Sequence, residues 1–141
     1  MHRRRPGAAR EGQSVVLVDS SVWIAELRTG GVIAANVVFE EVAICPVIMQ
    51  EVLQGIRSET FYRMARGLLM SVEMLDLPLD LFEEATQLYR TGRATGFTIR
   101  SPFDCLIAAC ALRNGTEVLH SDRDFDTIAR FTRLQSRYVA L

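Results

Sequence analysis

The chain contains no lysine; all sixteen of its basic residues are arginines. A P-loop nucleotide site is thereby excluded, because it needs the Gly-Lys-Ser/Thr triplet whose lysine reaches the phosphates. Cysteine is scarce as well. Cys45, Cys105 and Cys110 form no CxxC pair and stand among apolar residues, so they read as small core residues in a reducing, cytoplasmic compartment rather than a disulfide frame or zinc site. No apolar run approaches the ~20 residues that cross a bilayer. Repeats, low-complexity tracts and interdomain linkers are also missing. What remains is a 141-residue chain, 49% apolar and 23% charged, enough for one globular domain with its own core over residues 14–141.

The opening stretch MHRRRPGAAREGQS is basic but has no apolar segment, so residues 1–13 are expected to be a disordered tail or an over-long start rather than a signal peptide. The formal charge of −1 excludes a generally basic polyanion binder. Four of the arginines lie in that tail beside a single acid, which leaves twelve arginines against sixteen acids from Gly12 onward. Part of this negative charge has to be tolerated in a cluster, and a bound cation would allow it.

Strand and helix patterns alternate along the body. VVLV (15–18) is a buried strand ending at Asp19, and VWIAEL continues at helical spacing after Ser20 and Ser21. VAIC (42–45) is a second strand, followed by a helix that opens on Pro46. Residues 58–75 and 79–91 carry helical stripes, joined by the short connection MLDLP, and the two glycines of GRATGFTIR mark a loop. SPFDCLIAACALRNG is a helix with Ser101 as N-cap, Pro102 at its first position and Asn114–Gly115 as its stop. TEVLHS is a strand, DRDFDTIARF a short helix, and 134–141 a final edge strand. Such alternation argues for a parallel sheet covered on both faces, with ligands at the carboxyl ends of its strands.

Asp19, Glu51, Asp104 and the Asp122/Asp124 pair all fall at that edge. Each has a plain structural use. Asp19 can cap the next helix, with Ser20 or Ser21 capping beside it or assisting a metal-bound water. Glu51 suits the first turns of a helix, although its neighbours Val47, Ile48, Val52 and Leu53 are apolar. Asp104 completes a capping-box pattern with Ser101. Asp122 or Asp124 can cap the last helix. His120 points away from Asp122 along the strand and reads as structural, and Asp126 as solvated. Chance capping explains any one acid better than it explains all of them on one edge. Carboxylates are the ligands of Mg²⁺ and Mn²⁺, and such an ion both acidifies a water and neutralises a phosphoryl oxygen. The set therefore points to metal-assisted phosphodiester hydrolysis.

The segments VLVDSSVWIAEL, PVIMQEVLQG and TIRSPFDCLIAACALRNGTEVLHSDRDF resemble the PIN-domain family, and more closely its VapC toxins. The most specific part is DCLIAA followed by DRDFD, which begins eighteen residues after Asp104. The resemblance spans residues 15 to about 135. It implies a three-layer α/β/α sandwich with a central, mainly parallel sheet, a Mg²⁺- or Mn²⁺-dependent endoribonuclease, and a VapB-type antitoxin as partner. It also implies that Asp19, Glu51, Asp104 and Asp122 are the catalytic acids, with Asp124 accessory and Ser20 or Ser21 matching the family's serine. Asp19, Asp104 and Asp122, with Asp124 as the accessory ligand, would hold the metal, and Glu51 would orient or deprotonate the attacking water. Arg93, Arg100 and Arg123 flank the acids and would contact phosphates, or merely aid solubility. The N-terminal tail departs from the family pattern, whose members begin a few residues before the first acid.

Receiver domains and haloacid-dehalogenase-type phosphatases also place an aspartate after a strand, but both depend on a lysine this chain lacks. A metal-free binding module and a DNA-directed nuclease are the alternatives. Phe61, Tyr62, Met64, Met70 and Met74 give residues 58–91 apolar surface that is either plain core, a groove for an antitoxin helix, or a dimer face.

Overall fold

The computed structural model describes residues 14–141, so the expectation for the N-terminal tail lies outside the described residues. Five strands form one parallel sheet in the order β3-β2-β1-β4-β5. They are β1 (Val16–Val18), β2 (Val42–Ile44), β3 (Glu73–Met74), β4 (Glu117–His120) and β5 (Ser136–Tyr138). The helices between them are α1 (Ser20–Thr29), α2 (Pro46–Leu53), α3 (Glu59–Met70), α4 (Leu79–Ala94), α5 (Pro102–Asn114) and α6 (Arg123–Ala129). A 3-10 turn, Phe39–Glu41, leads into β2.

β1 lies at the centre. It pairs with β2 through Val16↔Val42 and Leu17↔Ala43, and with β4 through Val16↔Glu117, Leu17↔Val118 and Val18↔Leu119. The chain moves outward from β1 through β2 to β3, then crosses back to β4 and β5. Right-handed crossovers put α1, α2 and α3 on one face and α4, α5 and α6 on the other. Helix neighbours agree, since α2 packs on α1 and α3 while α5 packs on α4 and α6. The order reverses between β1 and β4, and a crevice opens at their carboxyl ends. Every acid singled out above is carried by an element that starts or ends at this crevice.

The core explains the continuous apolar runs. All residues of β1 and β2 are buried, as are Val118, Leu119 and His120 of β4. Helix α5 is buried from Asp104 to Ala111. Its small residues let it lie closely between the sheet and α4. Fully buried Leu17, Ile44, Ile107 and Leu119 each contribute about 1.5–3 kcal/mol of transfer free energy. Cys45, Cys105 and Cys110 are buried and free, and the Cys110 thiol donates to Asp76 O at 3.9 Å. Burial pushes the Cys105 thiol up to about 11, so it stays protonated, as expected of a core residue.

Two elements differ from expectation. β3 arises within the segment read as helix followed by connection, and it extends the sheet through Ala43↔Glu73 and Ile44↔Met74. Helix α4 also runs three residues further than the apolar stripe, through Gly92, Arg93 and Ala94. Position 92 takes a glycine inside the helix because two neighbours come close: a Cβ there would lie 2.9 Å from Phe131 Cζ and 3.2 Å from Ile99 Cδ1. This glycine makes room for a neighbouring ring and does not break the helix. Gly96, two residues beyond α4, has φ 89° and makes the turn.

Candidate metal centre

Asp19 follows β1 directly, and its N–H continues the β1–β4 ladder by donating to Leu119 O at 2.9 Å. Its side chain is 4% exposed. Of the two candidate serines, Ser21 is the one engaged: its hydroxyl donates to Asp19 Oδ2 at 3.0 Å and accepts the Ser121 N–H at 3.2 Å. One side chain thus ties the acid after β1 to the turn after β4. Burial raises the Asp19 pKa, and the charge of Asp122 adds to the effect, against the Ser21 hydroxyl and the nearby N–H groups of Ser20 and Ser21.

Asp104, Asp122 and Asp124 converge. Each offers a carboxylate oxygen, and the three oxygens lie within 4.8 Å of one another. The capping boundaries differ from those read in the sequence. Asp104 does not close a capping box on Ser101. The N-terminus of α5 is instead held by Asp124 of α6, which accepts from Ser101 N at 2.8 Å and from Arg100 N at 3.0 Å. Asp122 caps α6, accepting the Asp124 N–H at 2.9 Å on Oδ1. With Asp124 supplying the N–H groups' needs, Asp104 is free to face the crevice.

That freedom has an electrostatic consequence. Asp104 Oδ2 is buried and receives no N–H or O–H from the described residues. The carboxyls of Asp122 and Asp124 lie close by, a crowding that favours a retained proton or a cation. Burial, this contact and the charges of Asp122, Asp19 and Asp124 push the Asp104 pKa up to about 10. Glu51 on α2 is the next member. Its Oε1 is buried without a partner, and burial together with the Asp19 and Asp122 charges raises its pKa to about 7. Glu51 and Asp19 stand outside the tight group of three but within electrostatic reach of it.

Among the described residues no arginine is ion-paired to any of these five acids. The three flanking arginines point to different uses. Arg123, exposed, is the first residue of α6 between Asp122 and Asp124; Arg100 is exposed beside Asp124. Arg93 is helical rather than in a loop, with its guanidinium 5.7 Å from the Tyr89 ring. Residues 121–126 hold two surprises. The Asp122 N–H turns back onto His120 Nδ1 at 3.2 Å, so His120 does not stand apart from the site. Asp126 Oδ1 lies 3.3 Å from His120 Nε2, although the Asp126 side chain is half exposed. An X-Asp turn that brings residue i+2 back onto residue i has no signature in the sequence.

The donor set is all carboxylate, crowded, and among the described residues without an ion-paired cation. Such oxygens suit a hard divalent ion, and the unsatisfied Asp104 Oδ2 is the atom such an ion would satisfy. The residues present therefore fit a divalent metal.

Residues 16–131 match the PIN domain. Ribonuclease VapC11 of Mycobacterium tuberculosis is 37% identical over 130 residues, covering 86% of this chain and 97% of the relative. Ribonuclease VapC17 of the same species is 32% identical over 115 residues, covering 80% and 86%. Among solved structures, DNA-bound VapBC from Salmonella typhimurium superposes with a TM-score of 0.73 at 16% identity, over 89% of this chain and 98% of that one. M. tuberculosis VapC20, described as a sarcin-ricin loop cleaving toxin, gives 0.64 at 19% identity, over 82% and 95%. A match that begins at the first residue of β1 and ends just past α6, with relatives above 30% identity over nearly their whole length, makes this chain a member of the PIN-domain family, among its VapC proteins.

Proposed function

We propose that the chain is a VapC-type toxin, a metal-dependent endoribonuclease that blocks translation by cutting RNA in the cytoplasm. The observation that carries this reading is the group Asp104, Asp122 and Asp124, two of them buried and one half-buried, with no ion-paired arginine among the described residues. Asp104, Asp122 and Asp19 would hold Mg²⁺, or Mn²⁺ in its place, with Asp124 bracing α5 and contributing where its second function allows. The chemistry the ion supplies is charge neutralisation at the scissile phosphate and acidification of a water.

The chain's own residues do the rest. Glu51, with a pKa near neutrality and an unpartnered Oε1, accepts the proton of the attacking water. The water oxygen bonds to phosphorus as the ester P–O bond breaks, and the departing ribose oxygen takes a proton from solvent to leave as a hydroxyl. Ser21 keeps Asp19 and the β4–α6 turn in register. Arg100 and Arg123 lie at the rim, where a guanidinium meets the phosphates flanking the cut; Arg93 is set further back on α4.

An antitoxin partner of VapB type is supported by a groove of about 350 Å³ between α1, α2 and α3. Ile24, Leu27, Val52 and Phe61 line its apolar part, and Glu51 lies at its edge. A partner helix with an apolar stripe and one cation would fill the groove and neutralise Glu51 together. Of the expected α3 surface, Phe61 lines the groove, whereas Met64 and Met70 are exposed. A second copy of the chain would cover Phe82 and Phe103, which are exposed beside Tyr89 and Leu106 at a cavity of about 340 Å³. No helix of the described residues is long and apolar enough to cross a membrane.

The test is induction of the wild type and of Asp104→Asn in a bacterial host, with mapping of new RNA 5′ ends. New ends are expected with the wild type only, and co-expression of the small neighbouring antitoxin gene should remove them. Equal cleavage by Asp104→Asn would reject the site. Cleavage of DNA but not RNA in parallel assays would favour the DNA-nuclease reading, and absence of Mn²⁺ binding by calorimetry would favour a metal-free module.

A further inference from the structure

We propose that His120 is a positioning residue that aims Asp122 at the metal centre. The proposal rests on reading the acids as a metal site. It starts from the backbone. As the chain leaves β4, the amides of Ser121 and Asp122 lose their sheet partners, and buried N–H groups must find others. Ser121 N–H goes to Ser21 Oγ at 3.2 Å, and Asp122 N–H goes to His120 Nδ1 at 3.2 Å. Two side chains therefore hold the two peptide units that deliver Asp122.

The His120 ring is in no position to drift. It is fully buried, 5.0 Å from the Phe125 ring and 5.9 Å from the Tyr138 ring, centroid to centroid. Because Nδ1 accepts, the ring proton of the neutral imidazole sits on Nε2. Nε2 lies 3.3 Å from Asp126 Oδ1 but makes no hydrogen bond among the described residues, so the ring is held by its packing and by the contact at Nδ1. The hydrogen-bonded link therefore runs from the buried ring on β4 to the amide of Asp122. That amide fixes the direction in which the Asp122 carboxylate leaves the backbone. Its Oδ1 then caps α6 through Asp124 N–H at 2.9 Å, and its other oxygen is left to the site. Partners of this outer kind set ligand orientation in metal sites, and their loss typically costs about 10–100-fold in metal affinity or activity.

The direct test is a scalar coupling between the Asp122 amide nitrogen and His120 Nδ1 across the hydrogen bond, measured by NMR on ¹⁵N-labelled full-length chain. Its presence is expected, and its absence overturns the proposal. The second test compares His120→Asn, which places an acceptor oxygen near the position of Nδ1, with His120→Leu, which offers none. By calorimetry His120→Leu should weaken Mn²⁺ binding about tenfold or more, while His120→Asn stays within about threefold. The Asp122 amide should exchange quickly with solvent only in the leucine variant. Thermal unfolding in chelator is recorded for both. If both lose stability in parallel while the folded proteins bind Mn²⁺ like the wild type, the role is merely structural and the proposal falls. A wild type that binds no Mn²⁺ would instead sink the metal reading, and the coupling would still decide whether His120 positions Asp122.

Discussion

At the last turn of α5, Arg113 holds both oxygens of Asp80 at 3.1 and 3.0 Å and Glu84 at 2.6 Å. At the first turn of the same helix, Asp104 meets Asp122 and Asp124, and among the described residues no arginine is ion-paired to them. Both ends suit the helix dipole, which favours acids at the start and bases at the finish. Their electrostatics run in opposite directions. Hydrogen bonds from Arg113 hold the Asp80 pKa below its ordinary value, whereas burial and crowding push Asp104 up to about 10. One end is a closed surface cluster whose charges answer each other. The other stores an unanswered demand for positive charge inside the fold. Carboxylates alone do not mark a site; carboxylates gathered and left without a cation do.

The largest contrast should come from Asp104→Asn. We expect it to lower metal-dependent RNA cleavage about a thousandfold or more, equivalent to about 4 kcal/mol of barrier. The same change should raise the thermal midpoint of the metal-free protein by several degrees, because the amide removes a crowded acid. Unfolding in chelator checks this, and a variant less stable than the wild type would contradict the crowding argument. Glu51→Gln comes next. It should reduce the rate about a hundredfold or more as the proton acceptor is lost, while Mn²⁺ affinity falls less than in Asp104→Asn. Equal losses in both measurements would make Glu51 a ligand instead.

pH separates the two ends. A carboxyl with a raised folded pKa binds its proton more tightly in the native state. Stability contributed by that proton is present at low pH and is lost as pH climbs above the unfolded value. For Asp104 the window opens near the ordinary 3.8 and extends toward about 10; for Glu51 it runs from 4.5 to about 7. The metal-free thermal midpoint should therefore decline between pH 5 and 8 (on the order of a few degrees), and Mn²⁺ should restore more at pH 8 than at pH 5, because binding displaces protons. A midpoint that is flat or rising over this range would count against an uncompensated cluster. Asp80 works the other way, since its lowered pKa makes stability fall only in acid, below about pH 4. The smallest effect belongs to Arg113→Ala. It should lower the midpoint slightly, less so in high salt, and leave Mn²⁺ affinity unchanged. A loss of metal binding in that variant would show that the two ends of α5 are coupled.

Much of the fold was legible because its signals are local. β1 and β2 are short runs of buried apolar residues, α5 opens on Ser101-Pro102 and stops at Gly115 with φ 63°, and each of these features sits within a few residues of its cause. β3 was not legible, since two half-buried residues are too few to show a period. Gly92 misled because glycine marks a turn and a close approach alike, and only the Phe131 ring distinguishes them.

The sequence by itself determined that acids stand at the exits of apolar runs, that no lysine serves them, and that the chain carries the DCLIAA and DRDFD segments of its family. Tertiary structure decided which acid does what. Asp124 caps α5 across more than twenty residues of chain, Asp122 takes the cap of α6, and His120 turns back to hold the Asp122 amide. The physical reason is that a carboxylate's role depends on which N–H groups and charges lie within about 3 Å of it. That distance is set by how β1, β4, α5 and α6 pack together, and no local pattern of residues contains it.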